Sequence, residues 1–249
     1  MEFKEVLDRK LDKDKIALGA RKGSMLTIDL NETSSIIITG ETGAGKSVMI
    51  NQILLQLTRN YKSDEFKYIL IDTSGVELQK YDDTNYTILS AFNDLDKSQK
   101  ILFNVLEEID RRKDILRENS LISINEYNDI YNKNIPNLLV VVDDNQSLLN
   151  KEDVSSMVDK ITDSIDVRLN MIFVIATNNV YNEFFDNKKN RKSNILISFD
   201  HASEDDATQV GMPFSNDLLT GKFLVYIDGN YEEYNNFDFN EKIINEIID

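Results

Sequence analysis

Residues 40–47 read Gly-Glu-Thr-Gly-Ala-Gly-Lys-Ser, a match to the phosphate-binding pattern G-x-x-x-x-G-K-[ST]. The motif works only as a loop between a buried strand and the N-terminus of a helix, and its flanks supply both. Ile36-Ile37-Ile38-Thr39 is an apolar, β-branched run that predicts a buried strand. Val48 to Leu57 then repeats apolar residues at helical spacing. Glycines at 40, 43 and 45 let the backbone curl until successive N–H groups converge on phosphate oxygens, and the helix N-terminus adds partial positive charge. Gly40, Glu41, Thr42, Gly43, Ala44, Gly45, Lys46, Ser47 and Val48 are the expected nucleotide-binding residues. Lys46 would reach the β- and γ-phosphates, and the Ser47 hydroxyl would hold Mg²⁺ beside ATP.

The rest of the chain reads as strands alternating with helices. Ile16–Gly19 and Ser24–Leu30 predict two strands around a turn at Arg21-Lys22-Gly23. Phe66–Ile71 predicts a strand ending at Asp72, and Lys97–Leu116 an amphipathic helix. A polar connection with Pro136 leads to the wholly apolar run Leu138–Val142. Val154–Ile165 has helical spacing; Met171–Ala176, Ile195–Phe199 and Phe223–Ile227 predict further strands. Asp228-Gly229-Asn230 would turn the last into a hairpin with Tyr231–Tyr234. The expected fold is α/β: a RecA-like P-loop architecture, mainly parallel sheet flanked by helices, with N-terminal β additions and a C-terminal hairpin. The absence of a strong linker predicts a single domain over 1–249, with a charged helix at 1–15 and an acidic segment at 235–249.

The strand 138–142 delivers Asp143-Asp144 to the rim where open α/β sheets bind ligands. Asp143 would hold Mg²⁺ opposite Ser47, and Asp144 would orient or deprotonate the attacking water. Asn178 ends the strand Val174-Ile175-Ala176-Thr177 and would sense the terminal phosphate. Asp72, at the same rim, is either a supporting acid or a cap for the segment after it.

Composition narrows the setting. Cysteine is absent, which excludes disulfides and thiolate metal sites; the one histidine, His201, argues against a His-rich centre. No apolar run approaches a membrane span, and the charged N-terminus lacks a signal-peptide core, so a cytoplasmic location is expected. A net charge of −16 runs against a free-standing nucleic-acid binder. The exception is Lys188, Lys189, Arg191 and Lys192, which would touch a polyanion or form a solvated loop.

The segments IALG (16–19), GETGAGKSVMINQILLQL (40–57), LIDTSGVELQKY (70–81), EEIDRRKDIL (107–116), NLLVVVDD (137–144) and IFVIATNN (172–179) together resemble the motor domain of FtsK/SpoIIIE translocases. They resemble, more distantly, EssC-type secretion ATPases and HerA-like ATPases. Asp72, Glu77, Leu78 and Tyr81 fit the family's I-D-x-x-x-x-E-L-x-x-Y, and the Arg111-Arg112 pair is in place. The resemblance spans about 14–227 and implies ATP bound between subunits of a homo-oligomeric, hexameric ring. It also implies DNA as the polymer moved or, in the secretion branch, a membrane-associated protein partner. It is a resemblance to the motor core, without membrane-spanning or winged-helix additions. Three positions depart from the family pattern: Asp144 stands for glutamate, Asn178 for glutamine, and Leu196-Ile197-Ser198-Phe199 supplies no arginine finger. Each departure weakens hydrolysis more than binding, so the resemblance leaves two expectations: a DNA-moving ATPase, or a weakened nucleotide-binding module in a secretion or conjugation complex.

Overall fold

The computed structural model describes residues 1–9, 11–144, 148–178, 193–200, 221–227 and 230–248. Among these, ten strands form one sheet: β1 (Lys15–Arg21), β2 (Ser24–Asp29), β3 (Ser35–Thr39), β4 (Phe66–Asp72), β5 (Thr87–Phe92), β6 (Asn137–Asp144), β7 (Met171–Thr177), β8 (Asn194–Ser198), β9 (Lys222–Ile227) and β10 (Asn230–Asn235). Their order is β2-β1-β10-β9-β8-β3-β7-β6-β4-β5. The block from β8 to β5 is parallel, and the wing from β9 to β2 is antiparallel.

The parallel strands are buried on both faces. Along β3, Ile36 and Ile38 join one apolar cluster and Ile37 the other. The first cluster lies under α1 (Phe3–Asp8), α2 (Lys46–Asn60) and α6 (Lys242–Ile248); the second lies under α3 (Leu95–Asn119), α4 (Ile124–Tyr131) and α5 (Glu152–Ser164). This is the expected α/β fold, with helices on both sides of a mostly parallel sheet.

The two predicted additions turn out to be one feature. β1 pairs with β2 and β9 with β10, as their turns imply, and then β10 pairs with β1 through Ala20 and Asn235. The ends of the chain close beside this wing: Phe3 N–H donates to the Asp238 carbonyl, and the Phe3 ring packs against Phe237 and Phe239. The charged helix expected over 1–15 is shorter, Phe3–Asp8, with Phe3, Val6 and Leu7 buried, and residue 15 already belongs to β1. The segment 235–249, expected only to be acidic, contains α6, whose Ile243 and Ile244 are buried.

Two further elements stand where the sequence reading placed none. β5 is an edge strand with Ile88 and Leu89 exposed, so it lacks the burial pattern that marks the others. The polar connection before Pro136 contains α4. Its start is a capping arrangement: the Ser123 hydroxyl accepts from the Glu126 N–H, and the Glu126 carboxylate accepts from the Ile122 N–H. The spacing Ser123-x-x-Glu126 was the available signal.

The Arg111-Arg112 pair divides its work. Arg111 stays at the surface on Glu108. Arg112 is buried, and its guanidinium donates to the carbonyls of Leu169, Asn170 and Pro136 and to the Glu108 carboxylate. Those carbonyls precede β7 and β6, so Arg112 aligns the ends of the two strands far from residues 40–47. Arg112→Ala removes every donor from this group at once. It is expected to lower the unfolding free energy by about 3 kcal/mol in a denaturant titration, and Arg112→Lys should recover only part of that loss.

Candidate nucleotide-binding site

Residues 40–47 form a loop between β3 and α2. The loop needs its glycines: Gly40, Gly43 and Gly45 have φ of 142°, 84° and 123°. At Gly40 a Cβ would also lie 2.7 Å from the Phe199 Cβ. The loop is braced from the β8 side, where Glu41 N–H donates to the Asp200 carbonyl (2.8 Å) and Gly221 N–H to the Ala44 carbonyl (3.4 Å). The Asn236 side chain donates to the Gly45 carbonyl.

Among the described residues, the main-chain N–H groups of Thr42, Gly43, Gly45, Lys46 and Ser47 have no acceptor. Glu41, Thr42 and Gly43 are exposed, so the loop's mouth is open. Val48 follows, half-buried, on the first turn of α2. Converging amides at a helix N-terminus form a concavity suited to an anion, and this one remains accessible.

Lys46 is 3% exposed. Its ammonium donates to the carbonyls of Gly40 (2.8 Å) and Glu41 (2.9 Å) and to Asn178 Oδ1 (2.6 Å). Burial pulls its pKa below the ordinary lysine value, with Asp143 and Glu41 opposing. Asn178 also donates to the Thr42 hydroxyl (2.9 Å), so its amide spans the loop and its lysine.

Ser47 Oγ donates to Asp143 Oδ2 at 2.9 Å. The sequence reading placed these two oxygens on opposite sides of a Mg²⁺ ion, and they converge here. The donor set is all oxygen, hydroxyl and carboxylate, which suits a hard divalent cation beside phosphates. Asp143 is fully buried; that burial pushes its carboxyl up to about 6, with Asp72 and Glu77 adding to the rise and Ser47 and Lys46 opposing it.

Asp144 behaves otherwise. Its Oδ1 accepts from the Leu148 N–H (2.8 Å) and the Thr73 hydroxyl (3.4 Å), and its Oδ2 accepts from the Leu149 N–H (3.1 Å). With 1% exposure, this carboxylate caps the short 3₁₀ turn Leu148–Asn150. Both oxygens expected to reach water are bonded to protein. Asp72 resolves as the cap for its following segment, accepting from the main-chain N–H groups of Ser74, Gly75, Glu77 and Leu78 and from the Ser74 hydroxyl. Lys188, Lys189, Arg191 and Lys192, like His201, lie outside the described residues.

A second link to the loop was missed in the sequence. Tyr81 OH donates to Asn51 Oδ1 (2.8 Å), and Asn51 Nδ2 donates to the Ser47 carbonyl (2.8 Å). The I-N of the run after the loop and the final Tyr of the 72–81 segment therefore meet.

Comparison with known proteins decides the family. The model of the FtsK/SpoIIIE family matches residues 4–191. The chain belongs to the FtsK/SpoIIIE family. The DNA translocase FtsK of Staphylococcus aureus (strain Mu50 / ATCC 700699) is 31% identical over 161 residues, covering 59% of this chain and 20% of the relative. That of Clostridium tetani (strain Massachusetts / E88) is 27% identical over 132 residues, covering 51% and 18%. The chain thus spans about a fifth of the curated relatives it matches. Among solved structures, the pCW3 conjugation coupling protein TcpA, monomer form with ATPγS, superposes with a TM-score of 0.76 at 19% identity, covering 96% of this chain and 70% of that one. EssC (ATPases 2 and 3) from Geobacillus thermodenitrificans gives 0.77 at 17%, covering 94% and 47%. The cytoplasmic domain of the Thermomonospora curvata type VII secretion ATPase EccC gives 0.78 at 15%, covering 100% and 34%. At these identities the structural matches establish the fold. The chain carries a domain of the FtsK/SpoIIIE type and shares its fold with these conjugation and secretion proteins. Among its described residues, no helix is long and apolar enough to cross a membrane.

The raised Asp143 carboxyl has a stability consequence. An acid titrating near 3.8 when unfolded and about 6 when folded is fully compatible with the fold only below the lower value. Its penalty grows from pH 4 to 6 and persists above, at most about 3 kcal/mol. Asp143→Asn keeps the shape without the charge. It is expected to raise the melting temperature of the nucleotide-free protein at pH 8, with the gain disappearing near pH 4 in a thermal-denaturation series.

Proposed function

We propose that this domain binds ATP with Mg²⁺ and couples its hydrolysis to the movement of DNA, as a subunit of a homo-oligomeric ring. The observation that carries the proposal is the set of main-chain amides at residues 42, 43 and 45–47 that have no acceptor among the described residues, backed by one buried ammonium and lying beside the Ser47–Asp143 oxygen pair. In this reading the amides and Lys46 hold the β- and γ-phosphates. Ser47 and Asp143 hold the metal, which supplies charge neutralisation at the phosphates. Asn178 leaves Lys46 for the terminal phosphate when nucleotide enters and so senses its presence. DNA as the polymer follows from the relatives named as DNA translocases.

A second reading has its own support. The net charge of −16, and the shorter side chains at 144 and 178 than the family pattern, favour a slow nucleotide-binding module with protein partners in a secretion or conjugation complex. The same assay separates the two. Turnover stimulated severalfold by double-stranded DNA supports the motor; low turnover indifferent to DNA supports the module.

Lys46→Ala tests the site itself. It removes the buried ammonium while leaving the loop's glycines in place. Calorimetry should show ATP affinity reduced at least about 100-fold, a loss of about 3 kcal/mol. Affinity equal to that of the unaltered protein would remove the loop from the reading.

A further inference from the structure

We infer that Glu77 is the general base of ATP hydrolysis in this chain, taking the role that its position in the sequence would assign to Asp144. The inference rests on the nucleotide-binding reading above and deepens it.

Three of the four acids at this rim are bound to protein. Asp143 accepts from Ser47, Asp144 from two main-chain amides and Thr73, and Asp72 from four main-chain amides and Ser74. Among the described residues the Glu77 carboxylate has no hydrogen-bond or ion-pair partner, and the residue is half-buried. Glu41 is another acid close by, but it lies on the loop's opposite flank, where its N–H is fixed to Asp200 beside β8.

The segment carrying Glu77 is held against the site at both ends. On one side, the N–H groups of Glu77 and Leu78 donate to Asp72 Oδ2 at 2.8 and 3.0 Å. Asp72 is the register partner of Asp143 on the adjacent strand. On the other side, Leu78 is wholly buried, and Tyr81 reaches Ser47 through Asn51. The main chain at Glu77 is thereby tied to the carboxylate of Asp72, the strand neighbour of Asp143, and the Glu77 charge adds to the upward push on the Asp143 carboxyl. A carboxylate held by its backbone and left unpaired is available to a water molecule, whereas one capping a turn is not.

In the step assigned to Glu77, the water oxygen bonds to the terminal phosphorus of ATP. The bond from that phosphorus to the bridging oxygen breaks, and its electron pair leaves on ADP. The water proton passes to a Glu77 carboxylate oxygen and from there to solvent. Glu77→Gln keeps the size of the side chain and removes its ability to take the proton.

The test compares the unaltered protein, Glu77→Gln, Glu77→Asp and Lys46→Ala, with melting temperature confirming that each is folded. Glu77→Gln is expected to bind ATP within about threefold of the unaltered protein and to slow single-turnover hydrolysis about 100-fold. Nucleotide recovered from Glu77→Gln after incubation should be ATP, where the unaltered protein yields ADP. Glu77→Asp, which retains the charge, should fall between the two in rate. The acid limb of the pH–rate profile should vanish in Glu77→Gln, a change that a packing role would not produce. Hydrolysis within threefold of normal in Glu77→Gln overturns the assignment. So does an unaltered protein that binds ATP and leaves it uncleaved. Loss of binding in the unaltered protein itself would instead sink the nucleotide-binding reading, together with the inference built on it.

Discussion

Two opposite charges, Lys46 and Asp143, are buried at one rim of a parallel sheet, and the rest of the site is arranged around that cost. A charge removed from water is tolerated only with partners that replace its hydration. Lys46 has two carbonyls of its own loop and the Asn178 amide; Asp143 has the Ser47 hydroxyl. Each partner comes from a different element, so the charges are stable only when β3, α2, β6 and β7 are assembled. Burial still pulls the lysine below its ordinary value and pushes the carboxyl above its own. A polyphosphate would add opposite charge beside the lysine, and a divalent cation would add it beside the carboxylate.

Strand register explains why these groups meet. Thr39 is opposite Thr177, Thr177 opposite Asp144, and Asp143 opposite Asp72. The four central strands therefore end at one level, and the segments leaving them start from a common rim. Arg112 works at the other end of β6 and β7, tying the chain ahead of both strands. A residue that never approaches the nucleotide site thus keeps Asp143 and Asn178 level with each other.

Acids along that rim have distinct fates, although the sequence presents them alike. Asp72 and Asp144 spend their oxygens on main-chain amides and shape the turns that follow their strands. Asp143 faces the loop serine. Glu77, which no strand end announces, has a carboxylate with no hydrogen bond among the described residues. Which acid serves chemistry and which serves the fold depends on where the next few residues turn.

The local pattern was enough to read the loop, its strand and its helix, because a motif of three glycines, a lysine and a serine specifies backbone and side chains together. It was enough also for the buried strands: β3, β6 and β7 are apolar on both faces, a pattern that survives any arrangement of neighbours. The edge strand β5 and the short helix α4 escaped because each owes its stability to neighbours more than to its own periodicity. The union of β1 with β10, the carbonyls that Arg112 binds, and the amides that Asp144 caps were decided only by tertiary structure. Each depends on which distant N–H, carbonyl or carboxylate arrives within about 3 Å, and sequence spacing carries no record of that distance.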